Sequence, residues 1–313
     1  YLIFLLVAVP ALKAQEIDTI SFFSEAFEEE RRVYIHTPEF YKYSSDSMNF
    51  PVIFLLDGQY EWFVNPVISD IKYLQYTHEI PQAIVVVIPH TDRRKECEIK
   101  DLATELPLHK FITTELIQYI GNYKISDYKV IMGHSFSASF SLYSYYMRPD
   151  FYSAVIAHTP LDEMELLVQG YNMKEEILKD EIFISVGSIE SGKDEYHRKA
   201  YESLKSKHKE FFREINTYEA NYSAHNAVPV TTTPTLLSRI FENFRGRYSE
   251  IAEVNINYEL KKEPFSKEQE CNRVLSASKI GHTFYPPEVA EINGIASRFL
   301  FSEYNDHAQA IYK

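Results

Sequence analysis

VIMGHSFSASF, residues 130–140, is the stretch that decides the architecture of the chain. Its apolar beginning predicts a buried β-strand, and the small residues that follow predict a sharp turn into a helix. Gly133 and Ser137 are small at the two positions where so tight a turn leaves no room for large side chains. Ser135 is therefore expected at the apex of a nucleophile elbow, with its hydroxyl group raised above the end of the strand. A pattern this short also occurs by chance, so the flanking sequence has to support it.

The flanking sequence predicts an α/β fold with a mostly parallel central sheet and helices on both faces. Continuous apolar runs are typical of strands that are covered on both sides, and they alternate here with segments of helical periodicity. Strands are expected at residues 17–24, 31–36, 51–56, 83–88, 130–134, 152–158, 181–187 and 215–220. Helices are expected at 65–76, 108–119, 194–212 and 233–244, with another directly after Ser135 and short helices between 163 and 179.

Three parts are predicted along the chain: a signal-peptide remnant at residues 1–14, the α/β domain at 15–250 and a helical tail at 251–313. The first is apolar to residue 12, too short to span a bilayer, and resembles a secretory signal peptide cleaved after Ala14. This predicts a bacterial protein exported to the periplasm or secreted, without a membrane span. Residues 251–286 are polar and carry no clear core strand, and two amphipathic helices follow at 287–301 and 305–312. Because the second helix has no cap, the natural chain is expected to continue past Lys313.

The composition argues against several kinds of partner and cofactor. The 313 residues carry a formal net charge of −13, which argues against a nucleic-acid partner because phosphate binding depends on clusters of Lys and Arg. Cys97 and Cys271 lie far apart without metal-type spacing, so we interpret them as unpaired thiols and expect no metal site. No organic cofactor is expected either.

A serine hydroxyl is a weak nucleophile, so Ser135 needs a base and a third group that orients the base. When the nucleophile sits on such an elbow, the acid follows it in the chain and the histidine follows the acid. Glu190 comes directly after the strand at 181–187 and is the favoured acid, with Asp194 as the alternative. His225 lies in a loop beyond the last strand and is the expected base.

Stabilisation of a tetrahedral oxyanion needs two backbone N–H groups. One is expected from Phe136, directly after the nucleophile. The other is expected from the turn signal Asp57-Gly58 and the two residues after it, so that Gln59 or Tyr60 donates.

Three further side chains are candidates for substrate binding because they lie near the predicted site. Trp62 lies on the site side of the chain, and His134 precedes the nucleophile. Arg93 follows the carboxyl end of a core strand and could bind a substrate carboxylate, although a surface ion pair is the favoured interpretation.

These segments together resemble the esterase D-like family of α/β-hydrolases, which includes siderophore esterases, feruloyl esterases, S-formylglutathione hydrolase and mycolyltransferases. The resemblance covers about residues 30–245 and rests on motifs in the same order at 51–58, 91–93, 114–117, 132–135, 187–190 and 225. It implies an α/β-hydrolase fold with Ser135, Glu190 and His225 as catalytic residues. The family commonly has Gly-His-Ser-x-Gly-Gly, whereas this chain has Ser137 and Ala138, which are expected to tighten the turn. The tail resembles the start of tetratricopeptide-type helices appended to some exported relatives, which suggests a protein partner.

The predicted function is therefore an exported serine hydrolase that cleaves small-molecule carboxylic esters through an acyl-enzyme on Ser135. An acyltransferase with the same triad is one alternative, in which an alcohol replaces water. A catalytically inactive binding or scaffold protein is another, although a complete Ser–acid–His order argues against it.

Overall fold

The computed structural model describes residues 17–160, 163–174, 177–189, 192 and 194–313. The predicted signal peptide, residues 1–14, and the predicted acid Glu190 lie outside the described residues. The described chain is built around one sheet of eight strands in the order β1-β2-β4-β3-β5-β6-β7-β8. The strands β1 to β8 span Ile17–Ser24, Glu29–His36, Phe50–Leu55, Ile84–Val87, Ile125–His134, Ala154–His158, Ile182–Gly187 and Asn216–Ala220.

Helices occupy the connections and the end of the chain. α1 to α6 span Glu61–Tyr76, Arg93–Cys97, Pro107–Lys110, Ile117–Ile120, Phe136–Met147 and Met164–Met173. α7 to α13 span Asp194–Lys207, Lys209–Glu214, Val228–Ile240, Glu242–Gly246, Lys267–Ala277, Val289–Phe301 and Asn305–Tyr312. A π-helical segment, Phe111–Leu116, joins α3 to α4, and single 3₁₀ turns lie at Glu39–Tyr43 and Lys179–Glu181.

The pairing of the strands confirms the predicted α/β-hydrolase architecture. β1 and β2 are antiparallel to their neighbours, and β4, β3, β5, β6, β7 and β8 run parallel. Every residue of β3, β4 and β6 is buried, which explains why these strands appear as continuous apolar runs rather than alternating patterns. α1 packs against α9, and α5 packs against α2 and α6, so that helices surround the sheet.

The tail has its own small apolar cluster, in which Ile251, Val274, Ile295 and Phe299 are buried. The two helices expected at 287–301 and 305–312 are present as α12 and α13. However, α11 stands inside the stretch 251–286, which the sequence characterised only as polar and without a clear core strand. Its signal was a capping box, in which Ser266 and Gln269 satisfy each other's backbone N–H groups. Two short antiparallel strands, β9 and β10, form a hairpin in the same stretch at Lys279–Ile280 and Thr283–Phe284.

Tyr285 fastens the tail to the main sheet. Its ring is fully buried and packs edge-on against Phe50, at the start of β3, and against Phe244. Arg247, 3% exposed, donates hydrogen bonds to the Tyr285 carbonyl and to the Glu291 carboxylate. The tail therefore docks at the amino ends of the parallel strands, whereas Ser135 lies at their carboxyl ends. Within the part of the chain that the structure describes, no helix is long and apolar enough to cross a bilayer.

Candidate active site

Ser135 sits at the apex of the turn between β5 and α5. Its backbone angles are φ 59° and ψ −117°, a conformation that non-glycine residues rarely adopt. The Ser135 N–H donates a 2.9 Å hydrogen bond to the carbonyl of His158, which extends the β5–β6 ladder to the apex. A Cβ atom on Gly133 would lie 2.3 Å from the carbonyl oxygen of Ser137, so only glycine fits there. The strain and close packing are those of a nucleophile elbow.

Two backbone N–H groups beside Ser135 are available for an oxyanion. Phe136 is the first residue of α5, where a helix has no internal acceptor for the N–H. The N–H of Tyr60 donates instead to the Asp57 carbonyl at 2.9 Å, closing a turn. Within the described chain the N–H groups of Phe136 and Gln59 have no hydrogen-bond acceptor. Of the two expected loop donors, the geometry therefore favours Gln59 over Tyr60.

His225 lies in the loop between β8 and α9, and its ring stands between two other imidazoles. The ring centroid of His134 is 4.6 Å away and that of His197 is 4.3 Å away. The Nε2 atom of His134 donates to the backbone carbonyl of His225 at 3.2 Å, which anchors the loop. Burial, followed by the nearby His197, lowers the pKa of His225 to about 4. The imidazole is thus neutral, as a base must be, across the physiological pH range.

The carboxylate of Asp194, at the start of α7, contacts the backbone of His225. One carboxylate oxygen of Asp194 accepts the N–H of His225 at 2.7 Å. The ring Nδ1 atom of His225 is buried and has no hydrogen-bond partner among the described residues. Asp194 therefore lies within reach of the ring without bonding to it.

The guanidinium group of Arg93 is bound by other groups of the protein. Its Nε atom lies 2.5 Å from Oδ1 of Asp57, which is 1% exposed, and a second guanidinium nitrogen donates to the backbone carbonyl of His134. The guanidinium carbon also lies 5.5 Å from the ring centroids of both Tyr60 and Phe136. This buried pairing differs from the surface ion pair that the sequence favoured. A substrate carboxylate would have to compete with Asp57 for the same guanidinium.

His134 and Trp62 pack against each other. Trp62, 47% exposed, meets the His134 ring edge-on with centroids 5.7 Å apart. Burial, and then the neighbouring imidazoles of His225 and His158, lowers the pKa of His134 to about 2. His134 is therefore a neutral packing and hydrogen-bonding group, and Trp62 keeps an exposed aromatic face next to it.

A small cavity of about 20 Å³ lies beside His225, between the ends of β6 and β7 and helix α7. Its walls include Thr159, Gly187, His197 and Tyr201. The hydroxyl of Thr159 is buried there without a hydrogen-bond partner among the described residues. The cavity thus has room for about one water molecule beside the base, with polar groups in its walls. No cluster of His, Cys, Asp or Glu suited to a metal ion occurs in the described ranges.

Sequence reasoning missed two features of this site. The Asp57–Arg93 pair joins residues that are 36 positions apart, and no local pattern reports such a contact. His197 lies on a polar helix and was not expected to face the base. Its only signal was its position on α7 soon after the predicted acid.

Comparisons with known proteins come from sequence and from structure. A sequence profile of the family described as "Putative esterase" matches residues 24–226. No curated protein matches the chain. An IroE-like serine hydrolase from Shewanella oneidensis has a TM-score of 0.65 and 17% identity, covering 95% of this chain and 98% of that one.

Two further solved structures are similar over about three quarters of this chain. The enterobactin esterase FES from Shigella flexneri, crystallised in the presence of enterobactin, has a TM-score of 0.59 and 19% identity, covering 73% of this chain and 59% of that one. The BES protein from Bacillus cereus has a TM-score of 0.57 and 18% identity, covering 72% of this chain and 95% of that one. At these identities the likeness concerns the fold.

Proposed function

We propose that this chain, which belongs to the esterase family and is a carboxylic-ester hydrolase, works through an acyl-enzyme on Ser135. The observation that carries this proposal is the elbow. Ser135 has a positive φ angle at the carboxyl end of β5, next to the unoccupied N–H of Phe136. Family membership gives the reaction class, and the elbow supplies a nucleophile beside a donor for the developing negative charge.

In the proposed first step, His225 takes the proton of Ser135 as the hydroxyl oxygen attacks the ester carbonyl. The low pKa of His225, about 4, keeps its ring free to accept that proton at neutral pH. The amides of Phe136 and Gln59 donate to the oxyanion of the tetrahedral intermediate. The protonated His225 then gives its proton to the departing alcohol. Water attacks the acyl-enzyme in the second half of the reaction and releases the acid.

We assign the orienting acid to Asp194 rather than to Glu190. The 2.7 Å contact between the Asp194 carboxylate and the backbone N–H of His225 supports this choice. A rotation of the Asp194 side chain or of the His225 ring would let the second carboxylate oxygen accept Nδ1–H. That bond would fix the ring tautomer and stabilise the imidazolium that forms during the reaction.

We further propose a small-molecule ester as the substrate and export as the destination. Membership of the esterase family supports a small-molecule ester. The apolar residues 1–12 support export. Expression of residues 1–313 behind a start methionine in a bacterium, with N-terminal sequencing of the periplasmic product, checks this. A mature chain that begins at Gln15 is the expected result.

Labelling with a fluorophosphonate probe and hydrolysis of short p-nitrophenyl esters test the catalytic proposal. The wild-type protein is expected to label and to hydrolyse, and Ser135→Ala to do neither. Ser139→Ala serves as the control, because it removes another buried hydroxyl from α5 that has no partner among the described residues. If Ser135→Ala still labels and hydrolyses, the assignment is wrong. Added acceptor alcohols would reveal transfer if ester products appear.

A further inference from the structure

Ser137 lies in the first turn of α5, where the family pattern has glycine, and its side chain is fully buried. Its hydroxyl donates a 2.8 Å hydrogen bond to Oδ1 of Asp57. Arg93 Nε and His90 Nε2 each lie 3.3 Å from the Ser137 hydroxyl oxygen. The Sγ atom of Cys97 is a fourth neighbour at 3.6 Å. A hydroxyl has one proton and two lone pairs, so the bond to Asp57 uses the proton and the other neighbours surround the lone pairs. The extra side chain therefore does more than fill space in a tight turn.

Asp57 is the residue that depends on this bond. A buried carboxylate is stable only when charges and hydrogen-bond donors compensate it. Asp57 also has a φ angle of 64°, a conformation that needs support from its surroundings. Arg93 supplies the opposite charge, and Ser137 supplies the neutral donor from the side of the elbow.

The Asp57–Ser137 bond joins the two segments that carry the free amides. Ser137 directly follows Phe136, and Asp57 opens the turn in which its own carbonyl accepts the Tyr60 N–H. Gln59 lies inside that turn. The distance between the amides of Phe136 and Gln59 is thus set by the β3–β5 backbone pairing and by two side-chain links: the Asp57–Ser137 bond, and Arg93, which joins Asp57 to the His134 carbonyl.

A second anchor holds the far side of the turn. The Gln59 side-chain oxygen accepts the backbone N–H of His90 at 2.9 Å. The His90 ring is in turn bonded to Glu96 at 2.8 Å, and Glu96 is paired with the buried Arg31. The Gly58 N–H donates to the Ile88 carbonyl at 3.0 Å. The loop is therefore fixed against β4, which leaves its approach to α5 dependent on Asp57, Arg93 and Ser137.

We infer that Ser137 is a positioning residue that sets the spacing of the Gln59 and Phe136 amides through its hydrogen bond to Asp57. The inference rests on the proposed function, because it concerns the oxyanion site of that reaction. Loss of the hydroxyl leaves the Arg93 link between Asp57 and His134 but removes the direct bond to α5, so the loop moves more easily relative to α5. The transition state then loses part of its stabilisation, while the substrate contacts in the ground state are unchanged.

The test compares Ser137→Ala and Ser137→Gly with the control Ser139→Ala. For each protein, kcat and KM are measured on a short p-nitrophenyl ester, and amide hydrogen exchange is followed across residues 56–61. Ser137→Ala is expected to lower kcat about 10-fold, less than the 10²–10³-fold typical of a lost oxyanion donor, with KM within about 2-fold. Exchange of the loop amides is expected to rise. Ser137→Gly is expected to behave similarly, and Ser139→Ala like wild type.

Wild-type kcat in Ser137→Ala, or unchanged loop exchange, would overturn the inference. A lower unfolding temperature with normal kcat in the folded variant would also overturn it, since that result marks a purely structural hydroxyl. If the wild-type protein hydrolyses no ester, that result contradicts the proposed function, whatever the Ser137 variants show. Hydrogen exchange still tests whether the Ser137–Asp57 bond restrains the loop in that case, because it needs no substrate.

Discussion

The candidate site has two halves that are held in different ways. The nucleophile half comprises Ser135, the start of α5 and the loop 57–60, and its polar groups are joined in a buried network through Asp57, Arg93 and Ser137. The base half comprises the loop around His225 and the start of α7. There, ring nitrogens of His225 and His197 are buried without a partner among the described residues. The charged side chains of the nucleophile half are fixed by several contacts each, whereas the imidazole rings of the base half keep unused hydrogen-bonding capacity.

This difference fits the division of labour in acyl transfer. Oxyanion donors must be fixed before charge develops, because reorganisation during the reaction would cost free energy. The base must accept and release a proton, so the Nε2 atom of His225 has to stay free for Ser135 while Nδ1 stays available to the acid. We therefore expect substitutions in the base half to change the chemistry and the pH dependence. Substitutions in the nucleophile half are expected to change stability as well.

The largest effect is expected from removing the base. His225→Ala should lower kcat about 10⁵–10⁶-fold, because no other group takes the proton of Ser135. Steady-state hydrolysis of a p-nitrophenyl ester measures this. His282→Ala is the matched control, since His282 is exposed on the β9–β10 hairpin of the tail, at the amino ends of the strands. Retention of more than about 1% of wild-type kcat would show that His225 is not the base.

The next effect separates the two candidate acids. Asp194→Asn should lower kcat about 10³–10⁴-fold, because an amide cannot stabilise the imidazolium and favours the wrong tautomer. Glu190→Gln should change kcat less than about 10-fold, as expected of a carboxylate that does not orient the base. Steady-state measurement of kcat for both variants decides which carboxylate orients the base. The reverse ranking would transfer the role to Glu190 and remove Asp194 from the mechanism.

Much of the fold could be read from the sequence, because it is written in local patterns. The buried runs of β3, β4 and β6 predicted parallel strands, and the small residues around Ser135 predicted the elbow. The parts that were missed depend on contacts between distant segments. Asp57 and Arg93 meet only once β3 and β4 pair, and α11 is polar enough to look like a loop. The choice of acid depends on the path of the loop after β7, which distance along the chain does not determine.

A smaller effect, on stability, is expected in the nucleophile half. Gly133→Ala places a Cβ atom 2.3 Å from the backbone oxygen of Ser137, and the packed turn cannot yield. We expect a loss of about 3 kcal/mol in the free energy of unfolding. Gly294→Ala is the control, because Gly294 lies in α12 and a Cβ atom added there would meet nothing within 4 Å. It should gain about 0.5–1 kcal/mol, since alanine favours a helix. Urea unfolding measures both, and equal stability of the two variants would contradict the strained elbow.

The smallest expected effect concerns pH and sharpens the contrast between the halves. The imidazole of His225 acts as a base only when it is neutral, so kcat/KM should fall about tenfold per pH unit below its pKa, about 4, and stay level above it. Burial is the main cause of the low pKa, and the neighbouring His197 adds to it. Replacing His197 with Gln removes that charge, and the acid limb should move to higher pH by a fraction of a unit. The pH dependence of kcat/KM for wild type and His197→Gln measures this, with the Arg94→Gln variant as a charge control on a residue outside the base half. A limb near pH 6.5 in wild type would mean that the His225 ring is solvated and the base half is open.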